Sequence, residues 1–316
     1  MARTAGATEP AEVPPVSDLI AQLARIRVTS PETIAQALAR RPRREHLLRE
    51  TGTLFLVAAD HPARGSLAVG SDPAAMADRG DLLRRLLTAL QRPRVDGVMA
   101  TADIVEDLAL LGALDNKVVF GSMNRGGLAG ADFELDDGFT GYSAAALARH
   151  RLDGGKMMVR VDDTDPGTLR TLESCARAID ELAALCLPAM VEVFPVRREP
   201  GAVRPVADPA ALARAIAIVS GLGGTSAYTW LKVPVTAAMD EVMAATTLPT
   251  FLLGGDPGTN ADATFARWEG AMGFPQVRGL VAGRALLYPA DGDVAGAVDQ
   301  AAAIIAGRTR PREEAG

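Results

Sequence analysis

Cysteine, histidine and lysine are all scarce in this 316-residue chain. Its two cysteines, Cys175 and Cys186, fall in one helical stretch and read as packing residues, which excludes a disulfide framework or a cysteine-built zinc cluster. The three histidines, His46, His61 and His150, are dispersed, and only His61 stands at a strand end. No apolar run approaches the roughly 18 residues of a membrane span. Residues 1–16 have no apolar core of the kind a signal peptide needs. The net charge of −6 leaves no basic excess to attract nucleic acid. A cytoplasmic protein without membrane or nucleic-acid partners is expected. Lysine is the most informative scarcity: of 33 basic residues only Lys117, Lys156 and Lys232 are not arginine.

What the chain has instead is a regular alternation of short β-branched or apolar runs with Ala/Leu-rich helical stretches. Strands are expected at 54–59, 95–100, 117–121, 156–161, 189–194, 229–235, 250–254 and 279–283. Helical patterns lie between them at 81–91, 104–111, 168–185, 209–220 and 261–272. Strands alternating with helices pair in parallel through right-handed crossovers, and eight such units suit an α/β fold of the (β/α)8 TIM-barrel type. An open doubly wound sheet is the rival. No Gly-x-Gly-x-x-Gly leads from the first strand into a helix, which disfavours a dinucleotide fold, and no cofactor is expected.

Two extra N-terminal helices, 17–27 and 31–40, are expected to cover the bottom of the barrel. Arg41-Pro42-Arg43-Arg44 reads as a solvated helix end. Residues 1–16 and 308–316 read as flexible ends around a single barrel domain spanning 17–307. The longest irregular stretch, 122–142, reads as a flexible loop on the catalytic face, open to lid or oligomer-contact roles, with Tyr142 as its anchor.

Working residues of a barrel come from the C-terminal ends of its strands. Asp60 ends the first strand, Lys156 is on the fourth, Glu192 on the fifth and Lys232 on the sixth. Arginine is always charged, whereas lysine can lose its proton and attack a carbonyl carbon. Two cations and two anions form a balanced group, which reads either as a structural ion-pair network or as catalytic machinery. In the catalytic reading, the ammonium of Lys156 and desolvation both disfavour a protonated Lys232, which forms a Schiff base while Glu192 moves protons.

Gly254 and Gly255 after the seventh strand, with Gly283 and Arg284 after the eighth, are candidates to hold a phosphate through backbone N–H groups and a guanidinium. His61, Arg64 and Trp230 are candidate substrate contacts. Trp230 stands two residues before Lys232 and shares its face. Arg64 and Arg125 are candidates for a second anion contact. Asp162, Asp163 and Asp165 read either as a divalent-ion site or as a helix-opening turn, and no metal is assigned.

The segments Lys156–Asp162, Leu187–Val193, Leu231–Val235 and Val281–Ala285 resemble the fourth, fifth, sixth and eighth strands of class I aldolases. The likeness is to the tagatose-bisphosphate and sulfofructose-phosphate aldolase branch of the deoxyribose-phosphate aldolase superfamily, over roughly residues 50–290. It implies a barrel, Lys232 as the Schiff-base lysine, and Lys156 and Glu192 in the acid/base network. It also implies Asp60 beside them, and Gly255, Gly283 and Arg284 around a phosphate. Homo-oligomers are common in that superfamily, so one is expected here.

The chain departs from the branch in having Asp60-His61-Pro62-Ala63-Arg64-Gly65 after its first strand and Gly254-Gly255-Asp256 after its seventh. The first departure resembles an actinobacterial group associated with inositol breakdown. That resemblance implies 5-dehydro-2-deoxygluconate 6-phosphate as substrate, cleaved to dihydroxyacetone phosphate and malonic semialdehyde. Tagatose or fructose bisphosphate and deoxyribose phosphate are the alternatives. A metal-dependent lyase and a non-catalytic sugar-phosphate-binding barrel are the remaining classes.

Overall fold

The structure, a computed structural model, describes residues 16–255 and 261–307. Its strands are β1 (Leu54–Ala58), β2 (Gly97–Ala100), β3 (Val118–Ser122), β4 (Gly154–Val161), β5 (Ala189–Glu199), β6 (Ala202–Pro205), β7 (Thr229–Val233), β8 (Thr250–Leu253) and β9 (Val277–Ala282). The pairing order β4-β3-β2-β1-β9-β8-β7-β5, closed by β4–β5, makes an eight-stranded barrel in which every ladder is parallel. This is the (β/α)8 TIM barrel.

The helices are α1 (Val16–Thr29), α2 (Glu32–Arg40), α3 (Arg79–Leu90), α4 (Ala102–Leu110), α5 (Ala144–Arg149), α6 (Pro166–Ala184), α7 (Pro209–Ser220), α8 (Met239–Ala244), α9 (Ala261–Ala271), α10 (Arg284–Leu287) and α11 (Val294–Ala306). Asp78, Ser143, Asp165, Asp208 and Asp293 open five of them by accepting backbone N–H groups that the first turn leaves unpaired. Among the described residues, no helix is long and apolar enough to cross a membrane.

Alternate residues of each strand face the interior, so one pattern sets both the core and the site. The lower interior is filled by Leu54, Leu56, Met99, Phe120, Met190 and Phe251. Burial of such side chains contributes on the order of 1.5–3 kcal/mol each.

Four expectations change. The N-terminal helices do not cover the barrel bottom: α1 packs on α3 and α2 on α4, in the outer layer. The segment after them does, with Leu47 and Leu48 against the interior cluster. Arg41 is not a solvated helix end. It is 3% exposed and donates to the carbonyls of Lys117 (2.7 Å) and Arg151 (2.8 Å), while Arg43 reaches Asp153 (2.7 Å) and Arg44 reaches Asp96 (2.6 Å). Asp96 and Asp153 also accept from the backbone N–H groups of Phe55 and Val119, both at 2.8 Å, so the basic segment is clamped to the strand starts.

The fifth strand runs on to Glu199 and turns back as an antiparallel arm, β6. Cys186 lies just past α6 and is exposed, whereas Cys175 is buried within that helix. The expected flexible ends lie outside the described residues, except that Val16 already begins α1.

Candidate active site

The register of the ladders decides which inward side chains meet. Glu192 on β5 stands directly opposite Lys232 on β7, and Ser122 on β3 opposite Lys156 on β4. Asp60 follows β1 at the same height. The four expected residues therefore form one chain of charges. Nζ of Lys232 lies 2.7 Å from Oε1 of Glu192. The other oxygen of Glu192 pairs with Lys156, whose Nζ is also 3.0 Å from Oδ2 of Asp60. That same Asp60 oxygen accepts from Ser122 (2.6 Å) and pairs with Arg125 (2.9 Å).

All of these groups are buried, and Lys156 is entirely so. Burial pulls the Lys156 ammonium down to about 8, helped by Arg125 and Lys232 and resisted by Asp60 and Glu192. Burial would raise the carboxyl of Glu192, but Lys156 and Lys232 hold it well below the ordinary carboxylate range. Asp60 behaves likewise, with Arg125 and Lys156 outweighing burial. Both carboxylates stay ionised, and Lys156 titrates near working pH. A carboxylate between two amines gives a proton a short path from one nitrogen to the other.

A cavity of about 170 Å³ opens above Lys232, Glu192 and Asp60, while Lys156 lies behind its lining. Gly254, Gly255, Gly283 and Arg284 form one side of it. A Cβ on Gly283 would come within 2.4 Å of the Ala58 carbonyl oxygen, so only glycine lets β9 pass this close to β1. Arg284 donates to the carbonyl of Ala68 at 3.4 Å. Asp256, the end of the expected seventh-strand turn, lies outside the described residues.

His61 also lines the cavity. Burial pulls its imidazole down to about 3, with Arg284 and Lys232 adding to the effect, so it is neutral at working pH. Among the described residues its Nδ1 has no hydrogen-bond partner.

Trp230 is not brought to this cavity. It shares the inward face of Lys232, but two residues along a strand is a step of roughly 6.5 Å toward the barrel bottom. There it packs on Phe120 and Phe251, with ring centroids 5.7 and 5.2 Å apart. Phe194 and Met158, neither singled out from sequence, line the cavity instead. Both stand at inward positions two residues beyond Glu192 and Lys156, a spacing the strand period could have flagged.

The 122–142 loop is built into the site rather than standing free of it. The Gly127 N–H donates to Asp137 (2.9 Å), and the Gly127 carbonyl accepts from Arg64 (3.0 Å) and Arg160 (3.3 Å). Arg64 pairs with Asp137 at 2.5 Å, and Arg160 pairs with Glu134. A Cβ on Gly127 would fall 2.3 Å from Nη2 of Arg160, so glycine is what lets the two arginines converge. Tyr142 is buried behind the loop.

Asp162, Asp163 and Asp165 part company: Asp162 accepts from the Arg198 N–H (2.8 Å), Asp163 pairs with Arg214 (3.1 Å), and Asp165 caps α6 and pairs with Arg198 (2.6 Å). They form the helix-opening turn. Among the described residues, no three His, Cys, Asp or Glu side chains are grouped as a metal site would need.

Residues 52–302 match the Cgl0159-like family. The crystal structure of Cgl0159 from Corynebacterium glutamicum is 50% identical, with TM-score 0.89, covering 94% of this chain and 99% of that one. An archaeal fructose 1,6-bisphosphate aldolase is similar at 17% identity and TM-score 0.61, covering 87% and 99%. A Schiff-base-forming fructose-1,6-bisphosphate aldolase is similar at 18% identity and TM-score 0.60, covering 86% and 99%. These two share the barrel. No curated protein matches the chain.

Proposed function

The chain belongs to the Cgl0159-like family, and we propose that it is a class I aldolase cleaving a phosphorylated keto sugar or keto acid through a Schiff base on Lys232. The observation that carries this reading is the unbroken chain Lys232–Glu192–Lys156–Asp60, buried under a cavity with a glycine-lined side and Arg284. A purely structural ion network has no use for an open cavity over one of its lysines. The barrel shared with Schiff-base-forming aldolases is consistent with it.

In the proposed cycle, Lys156 gives up a proton, and the vacancy passes through Glu192 to Lys232. Neutral Nζ then attacks the ketone carbon. The ketone oxygen takes up two protons in turn and leaves as water, producing an iminium. A carboxylate, Glu192 or Asp60, accepts the proton of the hydroxyl two carbons away. The carbon–carbon bond breaks, an aldehyde departs, and the electron pair of the broken bond neutralises the iminium as an enamine. Protonation of the enamine carbon and addition of water release the ketone fragment and restore Lys232. Gly254, Gly255, Gly283 and Arg284 hold the phosphate.

The substrate proposed is 5-dehydro-2-deoxygluconate 6-phosphate, giving dihydroxyacetone phosphate and malonic semialdehyde, on the resemblance of the Asp60–Gly65 segment to the inositol-associated group. Borohydride reduction of the full chain with dihydroxyacetone phosphate should add the ketone fragment to the peptide carrying Lys232. Labelling of Lys156 alone, or of neither lysine, would overturn the assignment.

A further inference from the structure

Three arginines crowd one side of the cavity: Arg64 after β1, Arg125 after β3 and Arg160 on β4. Arg64 and Arg160 are answered by Asp137 and Glu134. Arg125 has less. Asp137, which also attracts Arg125, is already engaged by Arg64 and Arg160, so that Arg64, Arg125, Arg160, Lys156 and Lys232 set five cations against the four anions Asp60, Glu192, Asp137 and Glu134. An iminium on Lys232 would keep that surplus positive charge.

The surplus has a place. Arg125 is 5% exposed and held by its other nitrogens: Nε donates to the Asn124 carbonyl (2.8 Å), and Nη1 to the Asp60 carbonyl (2.9 Å) and side chain (2.9 Å). Its Nη2 has no hydrogen-bond partner among the described residues. A buried guanidinium nitrogen left unpaired is costly, and a ligand oxygen accepting from it would recover that cost. A carboxylate, with a single charge, suits the one available guanidinium nitrogen. A phosphate dianion asks for the several donors gathered at the opposite side.

Position supplies the second argument. In the closed barrel, β3 and β8 are four strands apart in either direction, so they face each other across the mouth. Arg125 follows β3, and Gly254 and Gly255 follow β8. A substrate with its phosphate at the glycines and its keto carbon at Lys232 extends its far end toward Arg125. We propose that Arg125 binds a carboxylate at the end of the substrate remote from the phosphate, so that the substrate is a phosphorylated keto acid and not a bisphosphate. This rests on the aldolase reading above.

The test uses the full-length protein in the condensation direction, with dihydroxyacetone phosphate and three aldehydes: 3-oxopropanoate, its methyl ester and glyceraldehyde 3-phosphate. Wild type should favour the acid at least tenfold in kcat/KM over both others, and Arg125→Gln should lower the acid-to-ester ratio at least tenfold. A merely structural role would slow acid and ester equally. An ester or phosphate used as well as the acid by wild type overturns the proposal even if the variant fails to fold.

If borohydride traps no dihydroxyacetone phosphate, the aldolase reading falls by itself. The subsite is then judged by saturation-transfer NMR of 3-hydroxypropanoate, whose binding should weaken at least fivefold in Arg125→Gln. Equal binding to both proteins sinks the subsite.

Discussion

Lys232 and Glu192 are direct partners across the β5–β7 ladder, with the ammonium 2.7 Å from one carboxylate oxygen while Lys156 takes the other. One buried anion thus holds two buried cations apart. Removing it leaves two buried like charges without a screen. Glu192→Gln is expected to cost about 3–5 kcal/mol in stability, the typical penalty for breaking a buried pair from one side. Urea denaturation measures this, and a loss under about 1 kcal/mol would mean that the pair is not the brace described.

Lys232→Arg keeps a cation beside Glu192 but removes the nucleophile. Turnover should fall on the order of a thousandfold or more, with the folded state retained by circular dichroism. Substantial residual turnover in the presence of chelator would refute covalent catalysis at this residue.

The pH profile follows from Lys156, whose proton leaves at about 8 because of burial, Arg125 and Lys232. In the proposed cycle kcat/KM rises as pH climbs through about 8. Stability follows the same sign. The unfolded chain keeps this proton up to roughly 10.4, so between these values it binds more protons than the native state, and stability increases with pH. Lys156→Arg, charged throughout, should flatten both curves. A wild-type rate independent of pH across this window would exclude Lys156 as the proton acceptor.

Arg284 is only half-buried, so its loss should be felt in binding more than in folding. Arg284→Ala is expected to raise KM for a phosphorylated ketose by on the order of ten- to a hundredfold, the worth of a charge-assisted hydrogen bond. The melting temperature should stay within about 2 °C. An equal rise in KM for an unphosphorylated ketose would remove the phosphate assignment.

The barrel was legible because its signal is local. Short apolar runs such as Leu187–Val193, separated by capped helical stretches, mark parallel strands without reference to any partner. The alignment of Lys156, Glu192 and Lys232 was equally legible, since each stands at an inward position of an apolar strand. Depth was not. Trp230 shares a face with Lys232, but sequence does not show that one pleat repeat separates cavity from core. Nor does it show where charged residues find partners. Arg41 and Asp153 meet only after the barrel closes, and Arg160, inward on β4, finds Glu134 only once the 122–142 loop has folded over it. The β6 arm was missed because Val196–Pro205 is rich in Arg, Glu and Pro, which reads as loop.

The convergence of Arg64 and Arg160 on the Gly127 carbonyl has an evolutionary consequence. Arg125, Gly127 and Glu134, on that side of the cavity, all belong to one continuous insert, fastened to the barrel through Arg64 and Arg160. The lysine chain and the glycine side belong to other strands. In the aldolase reading proposed above, exchanging the insert would change which molecule is accepted while the lysine chain stayed in place. A replacement insert in this chain would have to reproduce the Gly127 carbonyl as the latch for both arginines.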